Sequence, residues 1–454
     1  MKSLELLIRV GANLSSGVRR DHWTRGQIEQ RQASALASLR AYAFKHSPFY
    51  REFHRGLENR PLNELPILTK PVLMDRFDEV VTDRRVTRKA VESYLAAGDF
   101  ERRFLNRYRV MSTSGTTGRR GIFLSQTTEW ADYLAGLARV TVWAGKAPSL
   151  RHRRRTAHIS STIPFTVSAQ AAASIGSPLA QSLRMDTGDP LDRIVSRLND
   201  WQPQVLTTYA SMAGSLAHEQ LEGRLNIQPE IVVTAAEVLT KEIRDRVAAA
   251  WGPVLFNVYG ATETIIGGEC DRHTGVHIFE DLIIPEVVDA GGKAVPPGEY
   301  GDRLLVTVLY RRTQPLIRYE ISDMVRLASG PCACGRPFLR IDSIQGRRED
   351  VLYFPKLGGG EVAINPIFFE PILGPVRASA WQLTREPDRL VLLFSGLDQN
   401  ESVDAIGRNL VASLSQAGAV VPSLTISRVD VIPRGASGKA PLIVSKTNGP
   451  AGEL

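Results

Sequence analysis

MSTSGTTGRRG, residues 111–121, has Ser, Thr or Gly at every position from 112 to 118, directly after a hydrophobic approach (Phe104, Leu105, Tyr108, Val110). Glycines let the backbone turn tightly and bring its N–H groups close to a ligand, and the hydroxyls add short neutral donors. Such a run with an arginine at its end can wrap a polyphosphate. It is not the Walker P-loop, because G-x-x-x-x-G-K-[ST] does not fit. The other reading is a flexible Ser/Thr/Gly linker, and what lies downstream decides between them.

The chain has 454 residues, room for two or three domains, and 43% hydrophobic and 23% charged content, both ordinary globular values. The first residues (LELLIRVGANL) are apolar only briefly and are broken by Glu5 and Arg9. With no signal-peptide pattern there and no run approaching a membrane span, a soluble, cytoplasmic protein is expected. Fifty-six basic against 48 acidic residues leave +8, a diffuse excess that suits anionic small molecules such as nucleotides. The one dense basic cluster, Arg151-His152-Arg153-Arg154-Arg155, reads as a solvated loop, and no nucleic-acid motif accompanies it.

Helical spacing marks residues 26–46, ended by Ser47-Pro48, and Leu65-Pro66-Ile67-Leu68-Thr69-Lys70 reads as a turn and helix cap. An amphipathic helix is expected over 127–145. Strands at 157–163, 205–209, 231–234 and 254–259 then alternate with helices at 190–201, 212–221 and 240–250, which argues for an α/β fold built from crossover units. Between 282 and 310, strand-like runs separated by Gly-Gly, Pro-Pro-Gly and Gly-Asp predict antiparallel hairpins. Past Gly346 short strands and one helix (403–417) restart the chain as a small α+β domain.

Tyr259-Gly260-Ala261-Thr262-Glu263 follows a predicted strand. An aromatic, a hydroxyl and a carboxylate there can cover a base, touch a phosphate and hold magnesium, since hard cations prefer oxygen ligands. A strand end leading into an ordinary loop is the alternative. All three cysteines fall in two short segments. Cys270-x6-His277 and Cys332-x-Cys334 together offer three sulfurs and one nitrogen, a closed tetrahedral set for a structural zinc, with His273 competing with His277 for the nitrogen position. The bland alternative is three reduced, partly buried thiols.

These motifs stand in an order that resembles the adenylate-forming enzymes, the superfamily of acyl-CoA synthetases, adenylation domains and luciferases. The order is the Ser/Thr/Gly loop, Tyr259-Gly260-Ala261-Thr262-Glu263, Arg318-Tyr319-Glu320-Ile321-Ser322-Asp323, Gly346-Arg347-Arg348-Glu349-Asp350, and Gly435-Ala436-Ser437-Gly438-Lys439. Within that superfamily His46-Ser47-Pro48-Phe49-Tyr50-Arg51, the Leu65–Lys70 run quoted above, His277-Ile278-Phe279-Glu280-Asp281 and Pro315-Leu316-Ile317-Arg318-Tyr319 are similar to the phenylacetate–CoA ligase branch. Its relatives carry structural Cys/His sets with a similar C-x-C-G knuckle.

The resemblance implies a large N-terminal domain of α/β subdomains plus a small β subdomain (1–345), a hinge (346–350) and a small mobile α+β C-terminal domain (351–454). It implies that Thr113, Ser114, Gly115, Thr116, Thr117, Gly118 and Arg119 cradle the ATP β- and γ-phosphates. Ala235, Ala236 and Glu237 would form the adenine-contacting turn, with Tyr259 and Gly260 against the base and Asp323 accepting from the ribose hydroxyls. Thr262 would meet the α-phosphate, Glu263 magnesium, Arg347 the nucleotide near the hinge, and Lys439 both the carboxylate and the α-phosphate. The implied reaction is activation of an aryl or arylacetic acid as acyl-AMP and transfer to a thiol, most naturally coenzyme A, with an amine or a carrier protein as alternative acceptors. A homodimer is compatible with it, and a catalytically silent adenylate-binding protein is the rival of another class.

Three departures stand out. Arg119 replaces the family's usual lysine, keeping the charge but presenting a planar fork. Glu349 stands at the usual hinge aspartate. The residues after Asp350 (VLYFPKLGGGEVAINP) are closer to capsule-biosynthesis and indoleacetate–lysine ligase relatives, which leaves the acceptor open. Trp130, Tyr133, Phe165 and Tyr209 are aromatic candidates for an acid pocket.

Overall fold

The computed structural model describes residues 2–98, 102–113, 120–147, 153–174, 180–435 and 438–446. They fall into two compact units. One comprises Met1–Arg154, Ser161–Ser182 and Phe256–Ser343; the other comprises Arg155–Ser160, Leu183–Leu255 and Ile344–Leu454.

In the first unit the helix Arg25–His46 starts on a capping box. Thr24 Oγ1 accepts from Gln27 N (3.3 Å) and Gln27 Oε1 accepts from Thr24 N (2.8 Å), which satisfies two end-of-helix donors at once. It ends where Ser47-Pro48 predicts, because proline's fixed φ suits a new first turn, and Ser47 caps the following helix Pro48–Phe53. The helix Thr127–Trp143 fills the centre of this unit, and Lys2–Arg20 packs along it. No helix among the described residues is long and apolar enough to cross a membrane.

Between these helices lies a buried charge cluster. Arg139, 2% exposed, donates to Asp21 Oδ1 from Nε (2.9 Å) and Nη2 (2.6 Å), to Asp281 Oδ1 from Nη1 (2.9 Å) and to the Gly17 carbonyl (2.7 Å). Trp143 Nε1 supplies Asp21 Oδ2 (2.7 Å) and Arg20 supplies Asp281 Oδ2 (3.1 Å). Buried charge is tolerated when it is paired and hydrogen-bonded in this way.

Strands Leu255–Gly260, Ile265–Glu269, Val276–Ile278 and Arg340–Arg347 run antiparallel in that order, with Asp323–Leu327 beyond them. The hairpins expected over 282–310 appear as Ile283–Val288 paired antiparallel with Arg303–Val308, which in turn pairs with Tyr319–Ile321.

The second unit carries the crossover pattern. Arg154–Ser160, Val205–Tyr209 and Ile231–Ala235 are parallel neighbours, with helices Leu191–Trp201, Ala210–Leu221 and Lys241–Trp251 supplying Ile194, Leu198, Leu216, Val247 and Trp251 to one core. The first strand starts three residues earlier than expected and stops at Ser160. Arg155, read as loop, instead belongs to that strand: its carbonyl accepts from Gln204 N (2.8 Å) and its Nε donates to the Gln202 carbonyl (2.9 Å). The C-terminal part of the unit is a four-stranded sheet in the order Ser423–Val429, Arg389–Ser395, Ala380–Arg385, Ile443–Ser445. It is covered by the helix Val403–Gln416 through Ile406, Leu410 and Leu414.

Candidate active site and metal cluster

Thr113 closes the base of the Ser/Thr/Gly loop. Its N–H donates to the Gly121 carbonyl (3.0 Å), its hydroxyl accepts from Gly121 N (2.8 Å), and Arg120 reaches Ser112 Oγ (2.8 Å). The two ends belong to an antiparallel pair, Arg109–Ser112 with Ile122–Ser125. Ser114, Gly115, Thr116, Thr117, Gly118 and Arg119 lie outside the described residues.

The second motif sits at the end of strand Leu255–Gly260, where the register shifts between Tyr259 and Gly260. A bulge of this kind re-aims side chains at a strand end. The Tyr259 hydroxyl donates to Asp323 Oδ2, joining two motifs 64 positions apart. Four residues beyond Tyr259, Glu263 is 7% exposed and its Oε1 accepts from the Tyr319 hydroxyl at 3.0 Å. Arg311 Nη1 holds the Glu263 carbonyl (2.9 Å), Tyr310 OH meets Thr264 Oγ1 (3.1 Å), and Tyr133 OH reaches the Ala261 carbonyl (3.5 Å). Burial pushes the phenols of Tyr133, Tyr310 and Tyr319 up, with Glu263 adding to the rise at Tyr319 and Tyr133, so all three stay protonated. Thr262 and Gly260 lie half-buried in the same turn.

Several family stretches prove to be the frame of this turn. Tyr50 OH donates to the Pro315 carbonyl (2.9 Å) and accepts from Ile317 N (3.2 Å). Leu68 pairs with the backbone on both sides of Tyr319, its N–H to Arg318 O and its carbonyl to Glu320 N. Arg318 is itself anchored by Glu286 (3.1 Å) and the Leu65 carbonyl. Sequence reading missed Tyr319 as the group that fixes Glu263, although Tyr319 stands inside a motif already singled out.

Ala235, Ala236 and Glu237 end and follow strand Ile231–Ala235 in the second unit. Ala236 takes φ 71°, and Glu237 accepts from Ser211 N and Ala440 N, each at 2.8 Å. Arg347 is exposed at the end of its strand, 3.9 Å from Glu349. Gly346, just before it, takes φ 110°, and a Cβ there would come within 2.9 Å of Pro366, so only glycine fits. Lys439 lies between Gly438 and Ala440, and its carbonyl accepts from Gly435 N (2.8 Å). Of the aromatic candidates, Trp130 stacks on Tyr133 (centroids 5.1 Å, 6° between planes), and Phe165 and Tyr209 are buried.

The cysteine segments converge in the first unit. The ligand atoms of Cys270, His277, Cys332 and Cys334 all lie within 4.8 Å of one another. Cys270 and Cys332 sulfurs are 3.8 Å apart, and Cys334 Sγ is 3.4 Å from His277 Nε2. A disulfide requires about 2.05 Å, whereas sulfurs each about 2.3 Å from a tetrahedral zinc stand about 3.8 Å apart. Burial lowers His277 to about 4, leaving the neutral imidazole a metal needs, and raises the Cys270 thiol to about 12. His273 is outside this set; it packs on Phe256 with centroids 4.7 Å apart.

No family model matches the chain. It is 28% identical over 346 residues, 72% of each chain, to a phenylacetate-coenzyme A ligase of Thermus thermophilus. It is 31% identical over 176 residues to a phenylacetate-coenzyme A ligase of Pseudomonas putida, 37% of this chain and 39% of the relative. Among solved structures, 2-hydroxyisobutyryl-CoA ligase in the postadenylation state in complex with R3-HIB-AMP superposes with a TM-score of 0.72. The match covers 94% of this chain and 91% of the other, at 19% identity, and is a likeness of fold.

Proposed function

We propose that this chain is an adenylate-forming enzyme of the phenylacetate–CoA ligase-like branch, and that it activates an aryl or arylacetic acid with ATP and transfers the acyl group to coenzyme A. The observation that carries the reading is the folding together of separate motifs: Tyr259 on Asp323, and Glu263 on Tyr319. In the first half-reaction a carboxylate oxygen attacks the α-phosphorus and pyrophosphate leaves. Two anions must approach, so the barrier falls when fixed positive charge and in-line positioning are supplied. Thr113 to Arg119 would hold the β- and γ-phosphates, Ala235 to Glu237 with Tyr259 and Gly260 the adenine end, and Asp323 the ribose. Thr262 and Lys439 would meet the α-phosphate region, and Arg347 the nucleotide near the hinge. Glu263 would hold magnesium, which screens phosphate charge. In the second half-reaction the coenzyme A sulfur attacks the acyl carbonyl and AMP leaves.

Residues 346–350 would act as hinge for a mobile domain, 351–454, with Gly346 absorbing backbone rotation at a φ other residues avoid. Cys270, His277, Cys332 and Cys334 would hold one structural zinc. Four protein ligands leave no open position, so its contribution would be to folding.

Purified protein with ATP, magnesium and a panel of acids should release pyrophosphate with an arylacetic acid and form the acyl-CoA. Pyrophosphate release with acyl transfer to amines or a carrier protein, but never to coenzyme A, would overturn the acceptor assignment. Metal analysis should find about one zinc per chain, whether or not ATP is present. Folded, active protein without zinc would end that part of the proposal.

A further inference from the structure

The turn that carries Lys439 is pinned on both sides of that residue. Gly435 N donates to the Lys439 carbonyl (2.8 Å). The Gly438 carbonyl, in the peptide before Lys439, accepts from Thr187 Oγ1 (3.1 Å) and Arg434 Nη1 (3.0 Å). The Ala440 amide, in the peptide after it, donates to Glu237 Oε1 (2.8 Å). Fixing both peptide planes fixes the direction in which the Lys439 side chain leaves the backbone.

Glu237 is built for this. Its second oxygen, Oε2, accepts from Ser211 N (2.8 Å) in the first turn of helix Ala210–Leu221, whose N-cap residue Tyr209 makes no side-chain cap bond. A carboxylate at a helix N-terminus meets the positive end of the helix dipole. Its bonds to backbone N–H groups are charge-assisted, the stronger class. One side chain therefore ties the peptide beside Lys439 to the start of a packed helix. The positive φ of Ala236 turns the chain so that Glu237 reaches both amides. Strain of that kind persists where the surroundings impose it.

We propose that Glu237 is a positioning residue for Lys439: its carboxylate latches the Lys439 turn for adenylate formation and lets go of it for acyl transfer. The inference rests on Lys439 serving the adenylating half-reaction. The adenine-contacting role of the Ala235–Glu237 turn would fall to its backbone and to Ala235 and Ala236, because both Glu237 carboxylate oxygens accept from backbone amides. The rest of the C-terminal segment has its own ties to the same helices: Arg246 donates to the Ala378 and Ser379 carbonyls (2.8 and 2.9 Å), and Glu370 Oε1 accepts from Lys241 N (2.8 Å). Loss of Glu237 therefore loosens one turn and leaves the segment docked.

The test uses Glu237→Ala and Glu237→Gln in the full chain, with the half-reactions measured separately and hydrogen exchange followed at the peptide containing Ala440. With Glu237→Ala, pyrophosphate formation at saturating ATP should fall about 10- to 100-fold, the loss of one charge-assisted bond. KM for ATP should move less than about 3-fold, and transfer from a supplied acyl-adenylate to coenzyme A less than about 2-fold, since a positioning loss falls on the step it positions. Exchange at Ala440 should speed up while the helix Val403–Gln416 is unchanged. A raised KM with unchanged kcat would make the Glu237 carboxylate itself an ATP contact and overturn the latch. So would unaltered exchange at Ala440.

Should Glu237→Ala not fold, Thr187→Val removes the strap on the other side of Lys439 and leaves the helix cap intact. It must show the same split between half-reactions, and equal loss in both overturns the proposal. If wild-type protein forms no pyrophosphate with any acid, the adenylating reading fails by itself. The exchange experiment then still decides whether Glu237 holds the turn.

Discussion

Glu263 and Lys439 carry opposite charges and are held in opposite ways. Glu263 is 7% exposed, and the groups around its turn are buried side chains: Tyr319 on its carboxylate, Arg311 on its carbonyl, Tyr310 and Tyr133 on its neighbours. Lys439 is half-buried in a turn held through the backbone, by Thr187, Arg434 and Glu237. Packed aromatic supports cannot let go without opening a cavity. Three hydrogen bonds at a partly solvated turn can be exchanged for water at small net cost. The difference suits a carboxylate used in place and a lysine that serves one half-reaction only.

The largest effect expected is at the exchangeable end. Lys439→Ala should suppress adenylate formation about 1,000-fold or more, the scale of losing a group that stabilises transition-state charge, and spare acyl transfer from a supplied adenylate. Single-turnover assays of each half-reaction check this, and parallel loss in both would erase the contrast.

At the rigid end, Arg139→Met tests whether the first unit depends on its buried charge cluster. Asp21 and Asp281, 4% and 0% exposed, would lose the cation that bridges them. Leaving buried carboxylates without their partner costs about 3 kcal/mol or more. Urea denaturation should show that loss of stability, with both half-reactions falling only as the folded fraction falls. An unchanged midpoint would mean water already reaches the cluster.

Tyr319→Phe is gentler. It removes one hydroxyl from Glu263 and leaves the ring in place, so about 1–1.5 kcal/mol, or roughly 10-fold in adenylation rate, is expected with little change in stability. A variant with wild-type adenylation would show that the Glu263 turn is held by Arg311 and packing alone.

The same contrast governs what the sequence reveals. The crossover layers were legible because period and punctuation are local: strand Val205–Tyr209 falls where it was expected, and the helix over 26–46 needed only its apolar spacing and Ser47-Pro48. The helix Lys2–Arg20 is not among the elements read from the sequence. Leu6, Val10, Leu14 and Val18 do recur at helical spacing on its packed side, but the contact of the Gly17 carbonyl with Arg139 has no residue-type signature. His277 could not be told from His273 by spacing, since only the pairing of Val276–Ile278 with Arg340–Arg347 sets which imidazole meets Cys334. Glu237 and Ala440 lie 203 positions apart and join through a backbone amide, which any residue but proline offers. A bond of that kind leaves no residue-type signature.

The smallest effect expected is at Ala236, and it separates the two ways of holding a side chain most finely. Ala236 sits at φ 71°, where an L-residue other than glycine is disfavoured by about 1–2 kcal/mol. Ala236→Gly relieves that strain in the folded state but adds freedom to the unfolded chain, which costs about 0.5–1 kcal/mol. The two nearly cancel, leaving stability equal or higher by up to about 1 kcal/mol. The turn that aims Glu237, however, becomes softer, because glycine populates other conformations as readily. If aim matters, adenylation should slow about 2- to 3-fold, the low end of a weakened hydrogen bond, while transfer from a supplied adenylate stays at the wild-type rate. The loss of activity would then come in a protein at least as stable as the wild type, which a general packing defect does not produce. Wild-type adenylation in a stabilised variant would instead mean that the two amides alone orient Glu237, and that the strained residue is a consequence of the latch and not its guide.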